Sequence, residues 1–284
     1  MKIFVTGGTG FIGSHFLQKA LAAGHEVVAL KRAESFPRIP LREQPQWLVK
    51  EMSDVSVEDF HGTQALVHLA AHSANLPYDT LGECLRWNVW ESCLLVEKAI
   101  AANVRRFIIA GSCAEYGTSG ERYDFIPTDA PLEPTQSYSI SKAAASVALA
   151  GLAREKKLEM LIGRIFQVFG EGEWESRLWP SLRKAALSGE DFPMTEGEQV
   201  KDFISVQEVA EAFLHAAARN DLKPGEPRFE NIGTGKPQTL RAFAEHWWKQ
   251  WNAPGKLLVG ALPYRPHEVM RFVPQLPSEK QSDR

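Results

Sequence analysis

Short apolar runs separated by helical patterns fill the first half of the chain. The runs are rich in β-branched and aromatic residues, a composition typical of buried strands. They are residues 3–5, 26–30, 47–50, 65–69 and 106–110. Between them, apolar residues return at helical spacing, most clearly in residues 81–103. This alternation predicts an α/β fold with a doubly wound parallel sheet.

Three glycines, Gly7, Gly10 and Gly13, follow the first predicted strand at intervals of three residues. Glycine allows a tight turn and a close approach of the backbone to a pyrophosphate, and the start of the next helix offers unpaired N–H groups there. A flexible turn is the plainer alternative, but the place of the loop between the first strand and the first helix favours the dinucleotide site of a Rossmann fold. The predicted pyrophosphate-binding residues are Gly7, Gly10, Phe11, Ile12 and Gly13.

From about residue 169 the alternation becomes irregular, and proline and tryptophan become frequent. We expect this part to form a smaller lobe over the carboxyl edge of the sheet, where open α/β sheets bind ligands. Residues 228–232 are the exception, since they have the pattern of a strand that returns to the sheet. The predicted division is a dinucleotide-binding domain in residues 1–166 and a substrate-binding lobe in most of residues 167–284.

The end of the second predicted strand bears on the choice of cofactor. Proteins that bind NAD usually have an acidic residue there, which hydrogen-bonds the adenosine ribose. This chain has Lys31 and Arg32 instead, and a guanidinium can bind a 2′-phosphate through two hydrogen bonds. We therefore favour NADP(H), with NAD(H) as the second choice. The alternative is that both residues are ordinary charges on a solvated loop.

Two further residues are expected near the cofactor. Asp54 follows the third predicted strand, and it either lies at the adenine pocket or caps a helical turn in residues 57–60. Ala70 follows the fourth predicted strand, where a small side chain lets the cofactor ribose approach the chain.

Composition and charge narrow the class of partner. A formal net charge of −3 over 284 residues leaves no basic surplus for a nucleic acid or an anionic membrane surface. Cys84, Cys93 and Cys113 form no CxxC pair and leave an odd thiol, which favours a reducing compartment, and we expect the cytoplasm. No metal site is indicated, and the apolar runs are too short for a membrane span or a signal peptide.

Three polar residues carry the expected chemistry. Ser112 follows the fifth predicted strand, and Tyr138 and Lys142 are spaced so that a helix places them one turn apart on the same face. A neighbouring ammonium favours the phenolate form of tyrosine, which makes it a better proton exchanger at neutral pH. Each residue also has a plain alternative, as a strand-end cap, a half-buried aromatic or a surface charge. Together with the glycine loop, they predict a catalytic group in which Tyr138 and Lys142 also bind the cofactor.

These segments together resemble the extended short-chain dehydrogenase/reductases that act on nucleotide sugars as epimerases, dehydratases or ketoreductases. The resemblance covers nearly the whole chain, through TGGTGFIGS, HLAA, NVWESCLLVEKA, GSCAEYG, YSISK, GRIFQVFGEGE, VKDFISVQEVAEAF, NIGTG and LPYRPHEVMRFV. It implies that Ser112, Tyr138 and Lys142 are catalytic and that Asn88 completes the catalytic framework.

The resemblance also implies a set of residues at the substrate, several of which bind its nucleotide diphosphate. They are Asn88, Gln167, Arg177, Lys201 and Arg265. Many relatives have asparagine in the place of Gln167 and arginine in the place of Lys201, so these two residues depart from the family pattern. For each basic residue, a solvated surface charge is the alternative.

The reaction class depends on the two residues after Ser112. Dehydratases of the family have an acid/base pair there, typically Asp-Glu, whereas this chain has Cys113 and Ala114, neither of which supplies the proton transfer that elimination needs. We therefore predict an NADPH-dependent reductase of a nucleotide-linked 4-keto-6-deoxysugar. A nucleotide-sugar 4-epimerase that retains its cofactor is the main alternative, and a cofactor-sensing protein on the same fold is the third.

The resemblance further implies a homodimer. Helices in residues 85–103 and 138–154 carry apolar stripes, which in relatives pair across a two-fold axis to form a four-helix bundle. The end of the chain, PQLPSEKQSDR, lacks the usual last helix of the family, and its composition predicts a mobile terminus.

Overall fold

The computed structural model of the protein describes residues 1–265 and 268–276. The prediction of a mobile terminus falls largely on residues 277–284, which lie outside the described residues. Within the described ranges, no helix is both long and apolar enough to cross a lipid bilayer.

The predicted strands are confirmed, with small differences at their ends. The strands are β1 (Lys2–Thr6), β2 (Glu26–Lys31), β3 (Gln46–Val49), β4 (Ala65–His68), β5 (Arg106–Ser112), β6 (Glu159–Ile165), β7 (Gln167–Phe169), β8 (Phe192–Pro193), β9 (Val200–Ser205), β10 (Arg228–Ile232), β11 (Pro237–Thr239), β12 (Leu257–Leu258) and β13 (Arg271–Phe272).

The helices follow the apolar periodicity of the sequence. They are α1 (Phe11–Ala22), α2 (Leu81–Leu85), α3 (Glu91–Ala101), α4 (Ser137–Lys156), α5 (Leu178–Ser188), α6 (Val206–Ala218) and α7 (Leu240–Gln250). The helix predicted over residues 81–103 is therefore divided in two, because a π-helical turn, Arg86–Trp90, joins α2 to α3.

A parallel sheet of seven strands forms the centre of the protein, in the order β10-β6-β5-β4-β1-β2-β3. β1 pairs with β2 on one side and with β4 on the other, so the strand order reverses there. In open α/β sheets, ligands bind in the crevice at such a reversal, outside the carboxyl ends of the strands. The doubly wound Rossmann-type fold is confirmed.

The side chains of β1 alternate between the two faces of this sheet, and apolar residues cover both faces. Ile3 and Val5 belong to an apolar cluster that includes α1 and α6, while Phe4 belongs to a second cluster that includes α3 and α4. Successive side chains of a strand point to opposite faces. A strand covered on both faces must therefore be apolar at every position, as this run is.

The part of the chain after residue 166 builds a second, smaller sheet, in which β9 pairs with β7, β11 and β13. A separate apolar cluster, which includes Leu182, Met194 and Trp248, lies between α5 and α7. β10 joins the edge of the main sheet beside β6, and residues of α6 pack with those of α1 on the face of that sheet. The chain thus returns to the main core after residue 166 both as a strand and as a helix.

Candidate active site

The glycine loop joins β1 to α1 with backbone packed against backbone. Gly7 has a left-handed φ of 72°, and a Cβ atom added to it would lie 2.5 Å from the backbone nitrogen of Ala70. A Cβ atom added to Gly13 would overlap the carbonyl oxygen of Gly7. These two positions therefore admit only glycine, which is the condition for the tight turn of a dinucleotide-binding loop.

The start of α1 leaves backbone donors open. Gly10 is the N-cap, and no side chain caps the helix. The Gly10 N–H donates to the carbonyl oxygen of Gly7 at 2.9 Å, which closes the turn. Phe11 and Ile12 begin the helix, where N–H groups have no acceptor within the helix and carry partial positive charge. This arrangement fits the pyrophosphate of a dinucleotide.

The two basic residues at the end of β2 have different surroundings. The Lys31 ammonium lies over the rings of Phe36 and Trp47, 5.4 Å from each centroid. Arg32 is exposed on the loop that follows β2. Because cation–π contacts hold Lys31 against the protein, Arg32 is the better placed of the two to meet a 2′-phosphate.

Asp54 ends a single 3₁₀ turn, Met52–Asp54, and it is exposed. The prediction that Asp54 caps the next helical turn is wrong. That turn, Glu58–Phe60, has Val57 as its N-cap and no capping side chain. A contact with the adenine is the role that stays a prediction for Asp54.

Ser112, Tyr138 and Lys142 meet at the carboxyl end of β5, where Ser112 is the last residue of the strand. The Lys142 side chain is buried on α4 and donates to the carbonyl oxygen of Ala110 at 2.7 Å, so it is not a surface charge. The Ser112 hydroxyl lies near the Tyr138 phenol, close enough to lower its pKa. It also accepts the N–H of Ala114 at 3.2 Å. Ser112 is therefore both a strand-end cap and a direct neighbour of the tyrosine.

Burial dominates the pKa of the two titratable residues on α4. It raises the pKa of Tyr138 above the usual value, against the lowering effect of Ser112. It lowers the pKa of Lys142, because a buried ammonium loses its hydration. With the protein's own residues alone, the pKa of Tyr138 is therefore raised, and a lowering of this pKa by the positive charge of Lys142 stays a prediction. Tyr138 is thus protonated at neutral pH, as a proton donor must be.

Asn88 lies in the π-helical turn between α2 and α3. Its side-chain oxygen accepts the N–H of His72 at 2.7 Å, and its side-chain nitrogen donates to the carbonyl oxygen of His72 at 3.1 Å and to the hydroxyl of Ser141 at 2.9 Å. Ser141 precedes Lys142 on α4, so Asn88 joins the loop after β4 to α4. Such isolated π turns are frequent at functional sites.

Two of the expected diphosphate ligands lie within electrostatic reach of Cys113. Lys201 on β9 donates to the carbonyl oxygen of Val269 at 2.7 Å, and burial lowers its pKa. Arg177 precedes α5, and its guanidinium lies 3.9 Å from the carboxylate of Glu173. Lys201 and Arg177 are both close enough to Cys113 to oppose the rise in its pKa that burial causes. Cys113 lies between Ser112 and Ala114 in the sequence.

Gln167 and Arg265 are the other two expected diphosphate ligands. Gln167 is the first residue of β7 and is partly buried. Arg265 is exposed, and its carbonyl oxygen accepts the N–H of Glu268 at 3.1 Å. Within residues 1–265 and 268–276, no hydrogen bond joins either side chain to Ser112, Tyr138 or Lys142.

Tyr78 is a site residue that sequence reasoning missed. Its ring stacks on the ring of Tyr138, with the centroids 5.5 Å apart and the planes inclined by 24°. The loop that carries Tyr78 is tied to α4, because the Ser137 hydroxyl donates to the carbonyl oxygen of Asp79 at 2.7 Å. No periodicity marks a tyrosine in a loop. The place of this loop after β4, at the reversal of strand order, is the signal that points to it.

A model of the NAD dependent epimerase/dehydratase family matches residues 3–233. The chain belongs to this family. The matched range contains the glycine loop, the three residues predicted to be catalytic and Asn88, and it ends just after β10. The predicted membership of the extended short-chain dehydrogenase/reductases is confirmed, and the protein is an enzyme of the oxidoreductase type.

Relatives in this family are similar over most of the chain. A UDP-glucose 4-epimerase of Corynebacterium glutamicum is 26% identical over 265 residues, with 86% of this chain and 79% of the relative covered. A CDP-abequose synthase of Salmonella muenchen is 26% identical over 271 residues, with 95% and 87% covered. The solved structure of MoeE5 in complex with UDP-glucuronic acid and NAD has a TM-score of 0.82 at 25% identity, with 97% and 90% covered. The protein is thus a nucleotide-sugar enzyme of the epimerase/dehydratase type.

Proposed function

We propose that the enzyme reduces the 4-keto group of a nucleotide-diphosphate 4-keto-6-deoxysugar with NADPH, in deoxysugar biosynthesis. The supporting observation concerns the two residues that follow Ser112. Cys113 and Ala114 place a thiol and a methyl group beside the group of Ser112, Tyr138 and Lys142, where dehydratases have a carboxylate pair. Burial raises the pKa of Cys113 to about 12, so the thiol stays protonated at neutral pH. A cytoplasmic location belongs to the proposal, since the cysteines of the described residues are free thiols.

The three residues have separate roles in the proposed reaction. Bound NADPH would supply the hydride for C4 of the sugar. Tyr138 donates its proton to the C4 oxygen as negative charge develops there, and Ser112, whose hydroxyl lies near the Tyr138 phenol, orients the same oxygen. Lys142 is held at the carbonyl oxygen of Ala110, from where its positive charge stabilises the phenolate that Tyr138 becomes.

Elimination of water is not part of the proposal. It needs a base for the proton on carbon and an acid for the departing hydroxyl. Cys113 is protonated, and Ala114 has no titratable group. The next residue, Glu115, uses both carboxylate oxygens in contacts with Ser112 and Arg164. No free acid/base pair therefore follows the serine.

The diphosphate of the substrate is assigned to Arg177 and Lys201. Guanidinium and ammonium groups form charge-assisted hydrogen bonds with phosphate oxygens. Lys201 would exchange its contact with the carbonyl oxygen of Val269 for a phosphate oxygen, and Arg177 would turn from Glu173. Both lie near Cys113, so a diphosphate held by them places the attached sugar close to Ser112 and Tyr138.

A nucleotide-sugar 4-epimerase is the second candidate, and relatives named UDP-glucose 4-epimerase favour it. A reductase consumes one NADPH for each sugar, whereas an epimerase returns its hydride. The test mixes the protein with NADPH and CDP-, UDP-, GDP- or dTDP-linked 4-keto-6-deoxysugars and follows the absorbance of the reduced cofactor. Stoichiometric oxidation supports the reductase. Interconversion of a UDP-sugar with its C4 epimer, without net oxidation, would support the epimerase instead.

Arg32→Ala should weaken the binding of NADPH and leave the binding of NADH unchanged. Loss of a hydrogen-bonded charge pair with the 2′-phosphate should raise the Kd for NADPH about 10- to 100-fold. Lys31→Ala is the control, and its effect should be smaller because Lys31 lies over Phe36 and Trp47. Fluorescence titration with both cofactors measures the ratio of the Kd for NADPH to the Kd for NADH. An unchanged ratio in Arg32→Ala would favour NAD(H), the cofactor of the MoeE5 complex.

We also propose a homodimer formed through α3 and α4. Trp90 and Val147 are 63% and 64% exposed, and large exposed apolar side chains of this kind mark interaction surfaces. Trp90→Glu and Val147→Glu should convert the dimer to a monomer, as measured by light scattering. Leu187→Glu is the matched control, because Leu187 on α5 is equally exposed at 62% and its substitution should leave the mass unchanged. A wild-type monomer would contradict this part of the proposal.

A further inference from the structure

A buried ion pair lies next to the catalytic serine and has no role in the chemistry described so far. The Glu115 carboxylate accepts the backbone N–H of Ser112 through Oε1 at 2.8 Å and the Nε–H of Arg164 through Oε2 at 2.9 Å. Glu115 is 0% exposed and Arg164 is 4% exposed. One oxygen of the Glu115 carboxylate thus binds the backbone at the end of β5, and the other binds the buried guanidinium of Arg164.

Three adjacent strands of the main sheet bring this pair together. Arg164 on β6 is the register partner of Gly111 on β5 and of Asn231 on β10. Glu115 lies in the 3₁₀ turn Cys113–Tyr116, which follows β5 directly. A Cβ atom added to Gly111 would lie 2.9 Å from Oε1 of Glu115. Glycine at this position therefore makes room for the carboxylate.

Arg164 extends the contact to the C-terminal segment of residues 273–275. Its guanidinium donates to the phenol oxygen of Tyr116 at 3.0 Å, and the Tyr116 hydroxyl donates to the side-chain oxygen of Asn231 at 2.6 Å. Asn231 in turn donates to the carbonyl oxygen of Gln275 at 3.2 Å. A chain of buried polar groups that all have partners is rigid, so it links the catalytic end of β5 to the C-terminal segment.

We propose that Glu115 is a positioning residue, which fixes Ser112 beside Tyr138 and, through Arg164, couples it to the C-terminal segment. Removing two charges from water is costly, and well-packed apolar residues often replace a buried ion pair without loss of stability. Stability alone therefore does not account for the pair. The kinetic part of its test rests on the proposed function.

The charge of Glu115 acts on the pKa values of Tyr138, Lys142, Cys113 and Tyr116. Burial raises the pKa of Tyr138, and the Glu115 carboxylate raises it further. The carboxylate also raises the pKa of Lys142 on the same helix, against the effect of burial. It acts in the same direction on Cys113 and Tyr116. Removal of this negative charge should therefore lower the pKa of Tyr138, and the phenol should lose its proton at a lower pH.

Glu115→Gln keeps the length of the side chain and an acceptor oxygen but removes the charge. We expect kcat to fall about 10- to 100-fold as Ser112 loses its alignment, with the KM for the cofactor unchanged. The alkaline limb of the pH–rate profile should move to lower pH. The matched control is Glu245→Gln, which removes the carboxylate of the exposed Arg241–Glu245 pair at 2.8 Å. This variant should change neither kcat nor the pH–rate profile.

A double variant separates positioning from folding. Glu115→Gln leaves Arg164 buried without its charged partner, so the Tm should fall. Glu115→Gln/Arg164→Met removes the stranded charge and should recover the Tm, while kcat stays low and the pH profile stays shifted. Recovery of kcat and of the pH profile together with the Tm would show that the pair only stabilises the fold, and would overturn the proposal.

Hydrogen exchange gives a readout that needs no substrate. The Ser112 amide bonds to Glu115, and Glu115→Leu/Arg164→Met removes this acceptor together with the buried charge. The Ser112 amide should therefore exchange faster in this variant than in the wild type at matched stability, while amides in the middle of α4 stay unchanged. If exchange rises but no 4-keto sugar is reduced, the proposed function fails and the positioning role stands. Unchanged exchange at Ser112 overturns the positioning role whichever sugar the enzyme uses.

Discussion

Tyr138→Phe should abolish turnover while the cofactor still binds. The substitution removes the hydroxyl that donates the proton to the C4 oxygen, and loss of such a group costs about 10²- to 10⁴-fold in rate. The ring keeps its stacking on Tyr78, so the shape of the site should not change. Oxidation of NADPH with a 4-keto sugar nucleotide measures the rate, and quenching of protein fluorescence by the cofactor measures binding.

The control for this variant is Tyr123→Phe. Tyr123 is partly buried among apolar side chains outside the catalytic group, and removal of its hydroxyl should leave kcat at the wild-type value. A Tyr138→Phe enzyme that retains turnover would show that another group donates the proton. That result would remove the main support for the proposed reduction.

Gly13→Ala should strongly weaken cofactor binding. The added Cβ atom would overlap backbone atoms of Gly7, and backbone cannot swing aside as a flexible side chain can. α1 would have to move away from β1, which opens the loop that we propose to bind the pyrophosphate. Overpacking of roughly 3 kcal/mol should raise the Kd for NADPH or NADH by about 100-fold and lower the Tm. Isothermal titration calorimetry measures the Kd.

Gly151→Ala is the matched control, because a Cβ atom added at Gly151 meets nothing within 4 Å. Gly151 lies inside α4, where alanine is more stable than glycine by about 0.5–1 kcal/mol. The Tm should therefore rise, and cofactor affinity should stay the same. Wild-type affinity in Gly13→Ala would mean that the glycine loop is not the dinucleotide site.

The strands and the glycine loop could be predicted because their constraints are local. A strand covered on both faces must be apolar at successive positions, and Ile3, Phe4 and Val5 meet this condition within three residues of sequence. The overlap that excludes a side chain at Gly13 involves Gly7, in the same loop. Tyr138 and Lys142 share a helix face through their spacing alone. Such features need no knowledge of the rest of the fold.

Other features of the site depend on contacts between distant parts of the chain. Tyr78 stacks on Tyr138 only because the loop after β4 meets the start of α4. The Glu115–Arg164 pair joins residues 49 positions apart, and no spacing rule connects them. The capping alternative for Asp54 does not hold, because the geometry of short 3₁₀ turns places Val57 at the N-cap.

By itself, the sequence determined the fold class, the order of its elements, the dinucleotide loop and the spacing of tyrosine and lysine, because these follow from short-range sterics and from the periods of helix and strand. Only the tertiary structure decided how deeply Tyr138 and Lys142 are buried, and therefore the direction of their pKa values. Burial is the sum of contacts from several strands, helices and loops. The protonation state of a catalytic group follows from that sum, and it cannot be read from the residue type.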